Sequence, residues 1–277
     1  MIDFPARFQA FLDEFFALEP LAATSIGDHR HDGRWPDVTE AGRAARLAFI
    51  DRWATELRDL PMTGLRPDDV IDRDLVLGEL EAMRFAELDA RDDTWNPLTW
   101  VYLLGDGIFP LLARDFAPLV QRLTSVAERL EGMPAVLDGA RDTLVGPGDG
   151  RPIARFQTEK ALDQLPGIGA LIDDALTAAD AAAPSDPAVA TMRPRLVAAA
   201  DTARAALAAF EAHLRDVVLP ASAGDGRLGV EMFAAKMRHT MRSEDLTPER
   251  ILAAAEREHA AVRAEMVRLA EIGRAHV

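Results

Sequence analysis

The sequence predicts an all-α protein, an irregular multi-helix bundle of long antiparallel helices. Three observations carry this. Apolar residues recur at helical spacing along nearly the whole chain, as expected of helices that each bury one stripe. Stretches of alternating Val, Ile and Thr are missing, so strands have no support. Start and stop residues bracket the periodic segments, for example Thr39 and Asp186-Pro187 at starts and Pro61 and Gly64 past an end.

Taken in order, Phe4 to Leu18 forms the first helix, with Phe8, Phe11, Leu12, Phe15 and Phe16 on one side. Thr39 caps the second, whose inward face runs Leu47, Ile50, Trp53, Leu57, Leu60. The third extends from about Pro67 to Asp89 through Val70, Leu75, Leu77, Leu80, Met83 and Phe85. Trp100 to Ala113 is the longest apolar run, and Gly105, Asp106, Gly107 and Pro110 break it as a membrane-span candidate. Asp115 to Glu131 carries a stripe of Phe116, Leu119, Val120, Leu123, Val126, Ala127 and Leu130; Gly132 is expected to stop it and Pro134 to start the next helix. Gly146 to Gly150 reads as a flexible hairpin. Helical patterns resume at Thr158 to Leu165 and at Ile168 to Ala179, and the Ala-rich stretch from Asp174 to Pro187 looks linker-like. The next helix, from about Asp186 to Val218, is expected to be the longest element. Its stripe of Leu196, Ala200, Ala203, Leu207, Phe210, Leu214 and Val217 has alternating four-three spacing, and Pro194 is expected to kink its start. A short helix from about Gly229 to Met241 and a last one from Thr247-Pro248 follow, the latter with Ile251, Ala255, Val262, Met266 and Leu269 inward.

Composition narrows the function. The chain has 277 residues, 49% hydrophobic and 28% charged, with no Cys and a formal net charge of −15. It therefore has no disulfide scaffold, thiolate zinc site or cysteine nucleophile. The acidic balance argues against a nucleic-acid partner, which needs clustered Lys and Arg. No apolar run reaches the ~20 residues of a membrane span. Asp3, Asp13 and Glu14 stand where a signal peptide would be basic or apolar, so the expected location is cytoplasmic.

The motifs carry little chemistry. The sequence lacks His-Glu-x-x-His, a Gly-x-Ser-x-Gly elbow and a phosphate-binding loop. Glu256-Arg-Glu-His259 holds one Glu-x-x-His, whereas a di-iron bundle needs two; His259 is expected to be a partly buried helix histidine. His29-Arg-His31-Asp32 reads as a loop with local hydrogen bonds rather than a ligand set. Asp72-Arg73-Asp74 is expected to pair with arginines of neighbouring helices, and Trp95-Asn-Pro-Leu-Thr-Trp100 to supply core aromatics.

The final residues, 272–277, correspond codon for codon to a common sequencing adapter whose next codon is a stop. They are read as an adapter-derived tail, which leaves His276 without functional meaning. On that reading the natural protein is longer than this chain.

Several segments resemble one family. They are Ile26-Gly-Asp-His-Arg-His-Asp-Gly-Arg-Trp-Pro-Asp37, Ile71-Asp-Arg-Asp-Leu75, Trp95-Asn-Pro97, Arg114-Asp-Phe-Ala-Pro118, Thr158 with Gln164-Leu165-Pro-Gly167, Arg227-Leu-Gly229 and Asp245-Leu-Thr-Pro-Glu249. In this order they resemble the bacterial helical family numbered 885 among the domains of unknown function, over roughly residues 4–270. His259 departs from the pattern, which favours an apolar residue there. The resemblance implies a zinc-peptidase-like hydrolase of the gluzincin type, with residues 1–271 its N-terminal helical part and the metal motif in a C-terminal half that is absent here. No catalytic, cofactor-binding or metal-ligating residue is therefore carried over to any position, and zinc is expected only in the missing half. The parent would act on a peptide or small-molecule substrate; this part would line the cleft and, lacking its other half, would tend to self-associate. The alternative is a complete helical binding or scaffold module without catalysis.

Overall fold

The computed structural model describes residues 3–144, 151–243 and 245–275. The described chain is helical: α1 (Phe4–Leu18), α2 (Pro20–Ile26), α3 (Glu40–Arg58), α4 (Pro67–Phe85), α5 (Asp92–Trp95), α6 (Pro97–Ala113), α7 (Leu119–Thr143), α8 (Arg155–Ala182), α9 (Pro187–His213), α10 (Leu219–Ala221), α11 (Val230–Met241) and α12 (Pro248–Ala275). Extended pairing among these residues is limited to one bridge between Ala154 and Gly224. The expected hairpin at Gly146–Gly150 and His276 lie outside the described residues.

Two apolar clusters organise the molecule. In the first, α1 lays a ladder of phenylalanines over α3 and α4. Phe11 stacks on Phe49 at 5.4 Å between ring centroids and meets Trp53 edge-on at 5.5 Å, geometries that add to plain area burial. Phe4, Ile50 and Leu80 close this core. The second is a four-helix arrangement in which α6, α7, α9 and α8 pack in that cyclic order. Leu104, Ile108, Leu123, Leu130, Ile172, Ala200, Ala203 and Phe210 are wholly buried in it.

Two helices run on where the sequence reading ended them: α7 through Gly132 and Pro134, and α8, which joins the two expected pieces across Pro166. Helix α6 runs through Gly105, Gly107 and Pro110, and α9 is one continuous helix through Pro194, as expected. A helical proline removes one backbone hydrogen bond and crowds the preceding turn. Pro166 and Pro194 are exposed, so each ring sits on the solvent side of its helix, and packing of the opposite face outweighs the loss. The Ala-rich stretch is not a linker: α8 continues to Ala182, and Asp186 caps α9 by accepting from Ala188 N at 2.9 Å.

Gly132 has a packing role instead of a stopping one. The side chain of Trp35, from the segment before α3, wedges between α6 and α7. A Cβ on Gly107 would come within 2.2 Å of this ring, and one on Gly132 within 2.9 Å. Trp35 Nε1 donates to the carbonyl of Arg129 at 2.7 Å. The two glycines make the slot that stitches the N-terminal segment to the bundle.

The stripe of α9 is buried through Leu214, but Val217 is 55% exposed and Val218 is buried instead. Residues Leu214–Val218 form a π turn, whose extra residue advances the register by one. Including this turn and α10, the helical run is unbroken from Pro187 to Ala221 and is the longest among the described residues.

Helix α12 departs most. Val262, Met266 and Leu269, expected inward, are 56%, 66% and 54% exposed, and Ala255 is exposed as well. Their amphipathic pattern is real, but no element among the described residues covers it. His259, expected to be partly buried, is exposed for the same reason.

Candidate functional site

Between α4 and α11 the described residues form a groove with polar and apolar groups on its two facing helices. Pro67 at the first turn and Asp69 fix the start of α4: Asp69 Oδ2 accepts from the backbone N–H of Arg66 at 3.2 Å, and Asp69 Oδ1 accepts from Arg66 Nη2 at 2.6 Å. From that start α4 presents Ile71, Asp74, Leu75, Gly78 and Glu81 to a cavity of about 600 Å³, whose other wall is Arg238, His239, Arg242 and Ser243 of the α11 end. A second cavity, of about 330 Å³, lies on the other side of α11 and includes Glu79, Phe85, Asp92 and Lys236. Volumes of this order suit small molecules or a few residues of peptide.

Helix α11 has no buried residue. It is held by the pairs Lys236–Asp92 at 3.3 Å and Arg242–Glu79 at 2.6 Å, and by His239, whose ring lies 4.8 Å from that of Phe85. Gly229 at φ 79° precedes it and Arg242 at φ 49° ends it. The groove thus offers both signs of charge over apolar patches, which is a binding chemistry.

The loop of His29, His31 and Asp32 is a local network. Asp28 caps the short turn His29–His31. Asp32, buried, accepts from Thr24 Oγ1 at 2.8 Å and lies 2.9 Å from His29 Nδ1, while the His29 ring stacks on Phe116 at 3.6 Å. Arg129 joins from α7. It is fully buried, donates to Thr24 Oγ1 at 2.8 Å and to the Gly107 carbonyl, and lies under the Trp35 ring. Burial lowers the Arg129 guanidinium to about 10, with the Asp32 carboxylate opposing the shift. Arg129 is held as a structural clasp between α2, α6 and α7. It was not singled out from sequence, although Arg122 and Arg129 stand seven residues apart beside the inward stripe of α7, a spacing that puts both at the edge of the core. Both are indeed buried.

Other motifs resolve simply. Trp95 and Trp100 are core residues whose ring N–H groups donate to the carbonyls of Ala90 and Asp93, each at 2.9 Å. Asp72 and Asp74, expected to pair with arginines of neighbouring helices, do not do so among the described residues; Asp74 pairs within its own helix, with Arg73. Arg73 also donates to the Leu57 carbonyl at 2.7 Å, because its stem lies against the end of α3. Among the described residues no three His, Asp or Glu side chains converge in metal-ligating geometry.

The model of the bacterial protein family of unknown function DUF885 matches residues 20–273. The chain belongs to the DUF885 family. A solved structure from Shewanella oneidensis, described as that of a candidate lipoprotein of unknown function, shares its fold with a TM-score of 0.76 at 24% identity. The match covers 97% of this chain and 47% of the other, so the chain spans less than half the length of that protein. No curated protein matches the chain. No helix among the described residues is long and apolar enough to cross a membrane.

Proposed function

We propose that this DUF885 chain forms the substrate-side wall of a metal-dependent, peptidase-like hydrolase whose catalytic half lies outside it, and that the chain is inactive by itself. One observation carries the reading: α11 and α12 keep amphipathic patterns whose apolar sides, Val230, Phe233, Val262, Met266 and Leu269, stay exposed, in a chain matching under half of a protein of the same fold. Peptide hydrolysis needs an activated water and a general base. The zinc implied by the resemblance finds no ligand set among the described residues, so no step of hydrolysis is assigned to them. Their part is to bind: Arg238 and Arg242 would take a carboxylate, Asp74 and Glu81 an amine, and Ile71 and Leu75 apolar groups between them.

The downstream coding DNA tests this. An open frame past the codon of Glu271 that carries a His-Glu-x-x zinc motif, with zinc in the longer product, supports the hydrolase. A natural stop there leaves a helical binding module and overturns it. The cytoplasmic location belongs to the same proposal; the Shewanella protein is described as a candidate lipoprotein, and recovery of the longer product in a membrane fraction would refute the cytoplasmic assignment.

A further inference from the structure

A cavity of about 370 Å³ opens in the four-helix cluster, where the last turns of α6 face the first turn of α7 and the second half of α8. Its walls contain no residue of α11 or α12, so it depends neither on the groove nor on what covers α12. Its volume is at the small end of ligand pockets. Leu112, Leu119 and Leu171 pack against the core and form its apolar back. Phe109, 57% exposed, stands at its mouth. The space exists because Ala178 of α8 offers only a methyl group where a longer side chain would fill it.

Charge decides the ligand. Arg122, buried in the wall, is the only cationic residue among the described lining. Each of its guanidinium nitrogens is engaged: Nε donates to the Ala117 carbonyl at 3.1 Å, Nη1 to the Leu112 carbonyl at 3.2 Å and Nη2 to Asp115 Oδ1 at 2.7 Å. The guanidinium therefore serves the end of α6 and Asp115 rather than the cavity. Asp174, on the α8 wall, has no cationic partner among the described residues. The arginines of α9 that reach α8, Arg193 and Arg204, pair with Asp180 and Asp173. With Arg122 set against Asp115, the lining keeps the negative charge of Asp174 uncompensated. An aromatic ring at the mouth favours the same sign of ligand. We propose that this cavity binds a small organic cation, an ammonium group on an alkyl or arylalkyl body, with the ammonium at Asp174 and the body against Leu112, Leu119 and Leu171. The inference does not rest on the hydrolase reading.

Isothermal titration of the full chain with phenethylammonium tests it, beside two probes of the same body, neutral phenethyl alcohol and anionic phenylpropanoate. Urea unfolding shows that each variant keeps its bundle. The expected result is saturable binding of the ammonium, with a Kd of about 1 mM or tighter. It should exceed either other probe by about threefold to fivefold, the worth of one exposed charge contact. Asp174→Asn, at an exposed position, should erase that preference and leave the affinity for the alcohol unchanged. Ala178→Leu should abolish binding by filling the space. No saturable binding of the ammonium up to about 10 mM overturns the proposal, as does equal binding of the anion or binding that survives Ala178→Leu. Loss of binding on Asp74→Asn, with Asp174→Asn silent, would place the ammonium in the α4–α11 groove and overturn it too.

Discussion

Gly107→Ala and Gly167→Ala are the same substitution inside two helices, and they should move stability in opposite directions. Replacing glycine by alanine within a helix ordinarily stabilises by about 0.8–1 kcal/mol. At Gly167 a new Cβ meets nothing within 4 Å, so α8 should gain about that amount. At Gly107 the Cβ would lie 2.2 and 2.3 Å from Cη2 and Cζ3 of Trp35, far inside contact distance. The ring cannot slide away, because its Nε1 is bonded to the Arg129 carbonyl at 2.7 Å and Gly132 closes the other side. Overpacking of this kind costs about 1–3 kcal/mol. With a rigid ring the upper end applies, and after the helix gain the net loss should be about 2 kcal/mol. Urea unfolding measures both as shifts in midpoint at constant slope. A double-mutant cycle adds the decisive arm: in a Trp35→Ala background, Gly107→Ala should turn from destabilising to stabilising. If Gly107→Ala stabilises the unaltered protein, Trp35 is not in the slot and the account of how the N-terminal segment docks is wrong.

Phe210→Ala should lower unfolding free energy by about 3–5 kcal/mol, since its ring is wholly buried. Arg204→Ala, which breaks an exposed pair with Asp173, should change it by no more than about 0.5–1 kcal/mol; equal urea midpoints for the two variants would refute the register of α9. Burial pushes the Glu19 carboxyl up from 4.5 to about 7, helped by the Glu87 charge and opposed by Arg46. A raised folded value means that the protonated form is favoured, so this stabilisation is complete below about pH 4.5 and lost as pH rises through 7. Glu19→Gln should therefore be near neutral at pH 4 and stabilising by on the order of 2 kcal/mol at pH 8; a difference that does not grow with pH between the two would contradict it. The purified chain should hold no stoichiometric zinc, and about one zinc per chain by metal analysis, lost on His29→Ala with His31→Ala, would reverse that expectation.

How much was legible depended on where the deciding interaction lies. The ends of α1, the Thr39 cap and the Asp186-Pro187 start are local events, written in adjacent residues, and the structure has them where the sequence put them. Gly132 read as a stop because the reason for it, the Trp35 ring, arrives from about a hundred residues away, and nothing near Gly107 in sequence points to the same ring. Arg129 was unreadable for the same cause: its partners are the Thr24 hydroxyl and the Gly107 carbonyl, on other helices. The α4–α11 groove is made of commonplace charged residues that gain meaning only through the packing of α11 on α4. The apolar pattern of α12 was correctly seen, but a pattern states that a face is made to be covered and not by what.

The π turn at Leu214–Val218 gives the long α9 run two phases. Counted from Asp186, its buried stripe predicts one set of azimuths; counted back from Ala221, the set is offset by a single residue, about 100° around the axis. Everything after the turn, including the strand-like contact of Gly224 with Ala154 and the direction in which α11 leaves toward α4, inherits that rotation. The groove is thus aimed from a distance by one surplus residue in a helix that does not line it. Deleting one residue there would leave the helix before the turn unchanged and rotate the residues that follow it, Leu219–Ala221 and the start of the connection to α11, by about 100°.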